Sequence, residues 1–144
     1  MSLSTPKLKV VKFSKFYNNS LPMLKVKIQC PKLGEDKLVY AIIDSGSRYT
    51  IINEQILTEC FSSEELKGKY VDKVIINNNE YDRYSLDFIF PQLDNYKMNI
   101  NTAVMQFNYL PEEIGLNVIL GREDFLKQFI VCMYKLEWLS IYLD

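Results

Sequence analysis

Residues 41–50 read AIIDSGSRYT, and Ile51 and Ile52 follow. An aspartate between two apolar runs, followed at once by Ser-Gly-Ser, has two readings. One is a surface turn, because Asp, Ser and Gly are common turn formers. The other is a carboxylate held on a tight loop at the end of a buried strand, placed to act as acid or base. The rest of the composition narrows the chemistry. There is no histidine in the 144 residues, which excludes Ser-His-Asp and Cys-His catalysis and His-ligated zinc. The five glycines, Gly34, Gly46, Gly68, Gly115 and Gly121, are too dispersed for a Walker-type or GxGxxG loop. If the chain is an enzyme, carboxylates are its natural instruments.

The elements around Asp44 are read from periodicity. Leu24, Val26 and Ile28 alternate with Lys25, Lys27 and Gln29, PKLGEDK supplies a turn, and LVYAII runs into Asp44. This is a strand, a hairpin turn and a more deeply buried strand. Tyr84, Leu86, Phe88 and Phe90 form a second alternating set and Tyr96, Met98, Ile100 and Val104 a third, joined through PQLDN as antiparallel neighbours. Helical signals are few. Asn53 can cap EQILTEC, Ser62 and Glu65 have capping-box spacing, and Phe125 and Phe129 lie four apart in REDFLKQF. KLEWLSIYL closes the chain as an aromatic-rich strand.

Composition sets the outer limits. With 48% hydrophobic and 24% charged residues the chain is ordinary globular material. One domain is expected at this length. A net charge of −1, with no basic run, argues against nucleic acid as a partner. No apolar stretch reaches the roughly 18 residues of a membrane span, and MSLSTPKLKVVKFSK has no apolar leader core, so a soluble cytoplasmic protein without a membrane partner is expected. Cys30, Cys60 and Cys132 are odd in number and far apart, which is read most simply as reduced, buried thiols.

Two segments belong together: YAIIDSGSRYTII and, far downstream, LNVILGREDFL. With them the sequence resembles the retropepsin-like aspartic proteases, single-domain relatives of the retroviral and pepsin-type enzymes. Their signature is a few apolar residues, then Asp-[Ser/Thr]-Gly-[Ala/Ser], and later an apolar run ending in Gly. Here these are Ile42, Ile43, Asp44, Ser45, Gly46 and Ser47, then Val118, Ile119, Leu120 and Gly121. The resemblance implies an all-β, single-lobe retropepsin-like barrel with one or two short helices. It spans residues 21–144, with residues 1–20 as an N-terminal extension or edge strand. KVIINNNEYDRYSLDFIF would form the flap, with Asn77, Asn78 and Asn79 at its tip.

The implied activity is peptide hydrolysis by two carboxylates that share one proton, because like charges a few ångströms apart cannot both ionise. Asp44 is the implied catalytic residue. Ser45, Gly46 and Ser47 support its loop: Gly46 permits the sharp turn, Ser45 braces the partner loop, and Ser47 donates to Asp44. Ile119, Leu120 and Gly121 pack behind it. The chain carries one Asp-[Ser/Thr]-Gly only, so the second carboxylate must come from another copy in a twofold homodimer. EWLSIYL is the candidate strand for that interface. The substrate would be an extended peptide or protein, with no metal or cofactor. Silent rivals are a dimerisation or peptide-binding module of the same fold and an unrelated ligand-binding barrel.

Two departures stand out. In the retroviral enzymes an acidic residue two positions after the motif glycine pairs with the arginine that follows the later glycine. This chain has Arg48 there, which leaves Arg48 to favour acidic substrates or to pair with Glu123 or Asp124. The flap tip has asparagines where the retroviral flaps have glycines. Asparagine tolerates the left-handed conformation, so a hairpin remains available.

Overall fold

The alternating segments become strands that close on one another. A computed structural model describes residues 7–16, 19–106, 116–135 and 137–143. Met23–Cys30 (β4) and Glu35–Ile43 (β5) form an antiparallel hairpin, with Met23 opposite Ile42 and Cys30 opposite Glu35. A 3₁₀ turn at Pro31–Leu33 joins them and ends on Gly34, whose φ of 69° lies in the left-handed region that glycine enters without strain. Ile51–Asn53 (β6), Tyr70–Ile76 (β7), Asn79–Phe90 (β8), Tyr96–Met105 (β9) and Leu116–Leu120 (β10) complete the sheet in the order β4-β5-β10-β6-β9-β8-β7. The far end of β8 pairs back onto β4, through Ile28 with Phe88, and closes six strands into a barrel. β7 stays outside the ring, and among the described residues it pairs with the first half of β8 alone. The flap hairpin thereby projects from the barrel.

Two further strand groups precede and follow the barrel. Lys7–Lys12 (β1), Ile130–Tyr134 (β11) and Trp138–Leu143 (β12) make a three-stranded sheet in the order β1-β12-β11. Ser14–Phe16 (β2) and Asn19–Leu21 (β3) pair as a small ribbon. β12 has neighbours on both edges. The terminal strand expected to pair across a subunit interface is therefore fully engaged within its own chain, and among the described residues β1 and β11 are the outer strands of that sheet. Its local alternation was legible, but the identity of its neighbours depended on distant segments.

The helices are short. Glu54–Cys60 (α1) is capped by Asn53, whose side chain accepts from the Gln55 amide at 3.4 Å. Ser63–Lys69 (α2) starts with the anticipated capping box, in which Ser62 and Glu65 bond each other's backbone amides. REDFLKQF begins as a π-helical turn at Arg122–Leu126, with Leu126 N–H donating to Gly121 C=O. Phe125 and Phe129 are both buried and 4.9 Å apart, as their spacing suggested.

The main core joins the barrel interior to the inner face of the three-stranded sheet. Leu24, Val26, Ile28, Leu86, Phe88, Phe90, Leu120 and Phe125 meet Leu139 and Ile141 there. Alternation places Lys27 and Gln29 outside. Cys30 and Cys60 are not separate thiols: they form a disulfide between β4 and the last residue of α1. Cys132 is exposed. The reading of three reduced, buried thiols fails because pairing depends on two segments folding against each other, which spacing cannot report. Among the described residues, no helix is long and apolar enough to cross a membrane.

Candidate active site

Asp44 stands where β5 ends, and β10 holds it there. β10 pairs in parallel with β5, matching Ala41 with Val118, Ile42 with Ile119 and Ile43 with Leu120. On its other side β10 pairs antiparallel with β6, matching Val118 with Ile52 and Ile119 with Ile51. The strands entering and leaving loop 44–50 are thus gripped by one central strand. The ladder finishes at Asp44 itself, whose N–H donates to Leu120 C=O at 3.1 Å. Its side chain is left half-buried beyond the strand end.

The loop then folds back on the carboxylate. Gly46 N–H donates to Asp44 Oδ1 at 2.8 Å, and Ser47 N–H donates to Asp44 C=O at 3.2 Å. A Cβ on Gly46 would lie 3.1 Å from that same Oδ1, which is the physical reason for glycine at this close approach. The Ser47 hydroxyl donates to Tyr49 C=O at 2.7 Å. It therefore braces the loop, and the donor on the aspartate is the Gly46 amide. Ser45 is exposed, and its carbonyl accepts from Arg122 Nη1 at 2.9 Å.

Gly121 is the second close approach. A Cβ there would run into the Tyr49 carbonyl and stand 2.9 Å from Thr50 N. Gly121 N–H donates to Thr50 Oγ1 at 3.1 Å, Arg122 N–H to Ser47 C=O at 2.9 Å and Glu123 N–H to Arg48 C=O at 3.0 Å. The first amides of the π-helical turn thus satisfy carbonyls of the loop around Asp44. Thr50 is fully buried, its N–H donates to Asp124 Oδ2 at 3.4 Å, and its carbonyl accepts from Ala103 N–H at 2.9 Å. Burial holds the Asp124 carboxyl above the usual range, opposed by its bond from the Thr50 amide and by Arg83. Thr50 was not among the residues singled out in the sequence, and Asp124 was named there only as a possible partner of Arg48. The available signal was a threonine opening an apolar run and an aspartate three residues after Gly121.

Arg48 pairs with Glu123 at 2.7 Å, one of the two outcomes its position left open. The guanidinium of Arg48 lies 5.0 Å from the Tyr49 ring centre, and that of Arg83 lies 5.4 Å from it. Arg83 in turn makes a bidentate pair with Asp72, both bonds 2.7 Å, across β7 and β8. This lowers the Asp72 carboxyl below its ordinary range. A line of charged and aromatic groups therefore runs from Glu123 through the loop after Asp44 to the flap hairpin.

The hairpin turns through Asn77 and Asn78, with φ of 49° and 68°, while Asn79 opens β8 opposite Ile76. Two consecutive positive φ values are those of a two-residue turn of the primed type, and asparagine supplies them in place of glycine. Val74 and Ile76 of the flap pack with Ile42, Ile51 and Ile119 in a second apolar cluster, separate from the main core. Ile42 and Ile119 point into it while their neighbours Ile43 and Leu120 point into the main core. Tyr81 packs against this second cluster and Tyr84 against the main core.

Comparison with known proteins places this geometry. No family model matches the sequence, and no curated protein does. Solved structures do match in fold. A retropepsin-like aspartic protease from Rickettsia conorii is similar over 99% of this chain and 98% of that one, with a TM-score of 0.60 at 12% identity. The retroviral protease-like domain of Ddi1 from Leishmania major is similar over 80% of this chain and 82% of that one, with a TM-score of 0.50 at 15% identity. The chain has a retropepsin-like fold.

Proposed function

We propose that this chain is a homodimeric aspartic endopeptidase in which Asp44 of each subunit forms the catalytic dyad. The observation that carries the reading is the setting of Asp44: a carboxylate bonded by the Gly46 amide, on a loop whose two ends are gripped by β10. One carboxylate per chain calls for a second copy. Strand pairing between copies has β1 and β11 to use, the outer strands of their sheet among the described residues.

In the dyad, the ionised carboxylate takes a proton from water, and the resulting hydroxide oxygen bonds to the scissile carbonyl carbon. The protonated carboxyl donates a hydrogen bond to the developing oxyanion. Collapse of the tetrahedral species breaks the C–N bond as nitrogen receives the proton that the first carboxylate took from water, which returns the dyad to one shared proton. The apolar wall of Ile42, Ile51, Ile119, Val74 and Ile76 suits an extended peptide with apolar side chains, and Asn77, Asn78 and Asn79 form the flap tip over it. The cytoplasmic setting expected from the sequence requires this fold to tolerate a reduced Cys30–Cys60 pair, because disulfides persist mainly in oxidising compartments.

The deciding experiment compares cleavage of unfolded protein by the wild type and Asp44→Asn across pH, with oligomeric state measured by ultracentrifugation. A dimer with a bell-shaped pH profile that disappears in the variant is expected. No cleavage by either protein would leave a peptide-binding or dimerisation module of the same fold.

A further inference from the structure

A cavity of about 460 Å³ lies between α1, α2, the first half of β8 and the end of β9, and Asp44 is not among the residues that line it. Its floor is aliphatic: Leu57 is buried, and Leu66 and Val104 are half-buried. Its rim is acidic. Glu54 comes from the first residue of α1, and Glu80 and Asp82 come from one face of β8. Among the described residues, no lysine or arginine lines it. Lys73 approaches Asp82 at 3.9 Å, and among the described residues Glu54 and Glu80 have no ion-pair partner.

An aliphatic floor beneath three carboxylates fits a ligand with a greasy body and a positive head. A metal ion fits poorly: among the described residues, no three carboxylates or thiols converge closely enough to hold one. A phosphate backbone would be repelled. Lysine and arginine side chains lay their methylene stems on apolar surface while keeping the charge at the edge, and the acidic rim attracts that charge.

We propose that this groove docks a lysine- or arginine-bearing, otherwise apolar peptide segment. Tyr81 and Met105 line the groove and also pack against the apolar cluster beneath the flap. The docked segment is therefore a flank of the substrate, an assignment of role that rests on the endopeptidase reading. The docking itself needs no catalysis.

The test uses the Asp44→Asn chain and fluorescence anisotropy with a labelled octapeptide alternating leucine and lysine, beside its leucine–glutamate counterpart. The lysine peptide binds and the glutamate peptide does not. The added substitutions Glu54→Gln, Glu80→Gln and Asp82→Asn together weaken binding about tenfold, and raised salt weakens it in the parent. Glu35→Gln with Asp36→Asn, exposed acids outside the groove, leaves binding unchanged. Far-ultraviolet circular dichroism confirms that each variant is folded. No binding by the parent, equal binding of the two peptides, or equal weakening by the two sets of substitutions overturns the proposal. Binding here combined with no cleavage by the wild type would refute the endopeptidase reading and leave the groove standing.

Discussion

The N–H of Asp44 donates to the carbonyl of Leu120 at 3.1 Å, so the candidate catalytic residue is fastened to the residue just before Gly121. Position and close packing are thereby one problem: whatever displaces residues 120–121 displaces the carboxylate. The interactions that follow from this coupling can be tested singly.

Gly121→Ala forces a methyl group into the Tyr49 carbonyl and to 2.9 Å from Thr50 N, and backbone cannot yield as a flexible side chain does. The expected loss is about 2–3 kcal/mol of folding stability, read from urea unfolding. Gly46→Ala meets only the Asp44 carboxylate, at 3.1 Å, and so perturbs cleavage more than folding. Equal unfolding midpoints for Gly121→Ala and wild type would contradict the close approach.

Thr50→Val keeps the shape of a fully buried side chain and removes the acceptor for the Gly121 N–H. Leaving that donor unsatisfied costs about 1–3 kcal/mol. Thr50→Ser retains the hydroxyl and is expected to lose less. Calorimetric melting of the two variants checks the order, and the reverse order would rule out the hydroxyl's role.

Asp124 binds its proton more tightly in the folded chain than in the unfolded one, because burial outweighs its favourable contacts. Its contribution to stability is therefore complete below the ordinary carboxylate range and is lost as pH rises through the raised folded value. Asp124→Asn keeps an oxygen for the Thr50 amide and removes this titration. The stability difference between wild type and variant should shift in the variant's favour as pH rises from about 4 toward neutrality. Asp72 has the opposite sign: with its carboxyl lowered first by the Arg83 hydrogen bond, its stabilisation is lost as pH falls through the folded value. Urea titrations of both proteins at each pH isolate Asp124, and a pH-independent difference would refute its role.

The Cys30–Cys60 bond closes a loop with a sequence separation of 30. Chain-entropy arithmetic puts its contribution at roughly 3–4 kcal/mol. Dithiothreitol should lower the urea midpoint accordingly, while a thiol assay on unfolded protein rises from one reactive group to three. Three free thiols before reduction would show that the bond does not form.

What the sequence determined by itself was local. Period-two alternation defined β4, β8 and β9, an apolar run after a turn defined β5, Ser62 and Glu65 announced α2, and Asn77 with Asn78 supplied the left-handed residues of the flap turn, because each signal acts among near neighbours. Asp44-Ser45-Gly46 and Ile119-Leu120-Gly121 pointed to the candidate site through their resemblance to a family. Tertiary structure decided what those residues touch. Thr50 and Gly121 meet across 71 positions, Arg48 and Glu123 across 75, Cys30 and Cys60 bond between a strand and a helix, and β12 finds both its partners at home. No local rule reports such encounters. They exist only once burying the apolar face of every strand has brought distant segments to contact distance, where a missing Cβ or a single hydroxyl determines whether they fit.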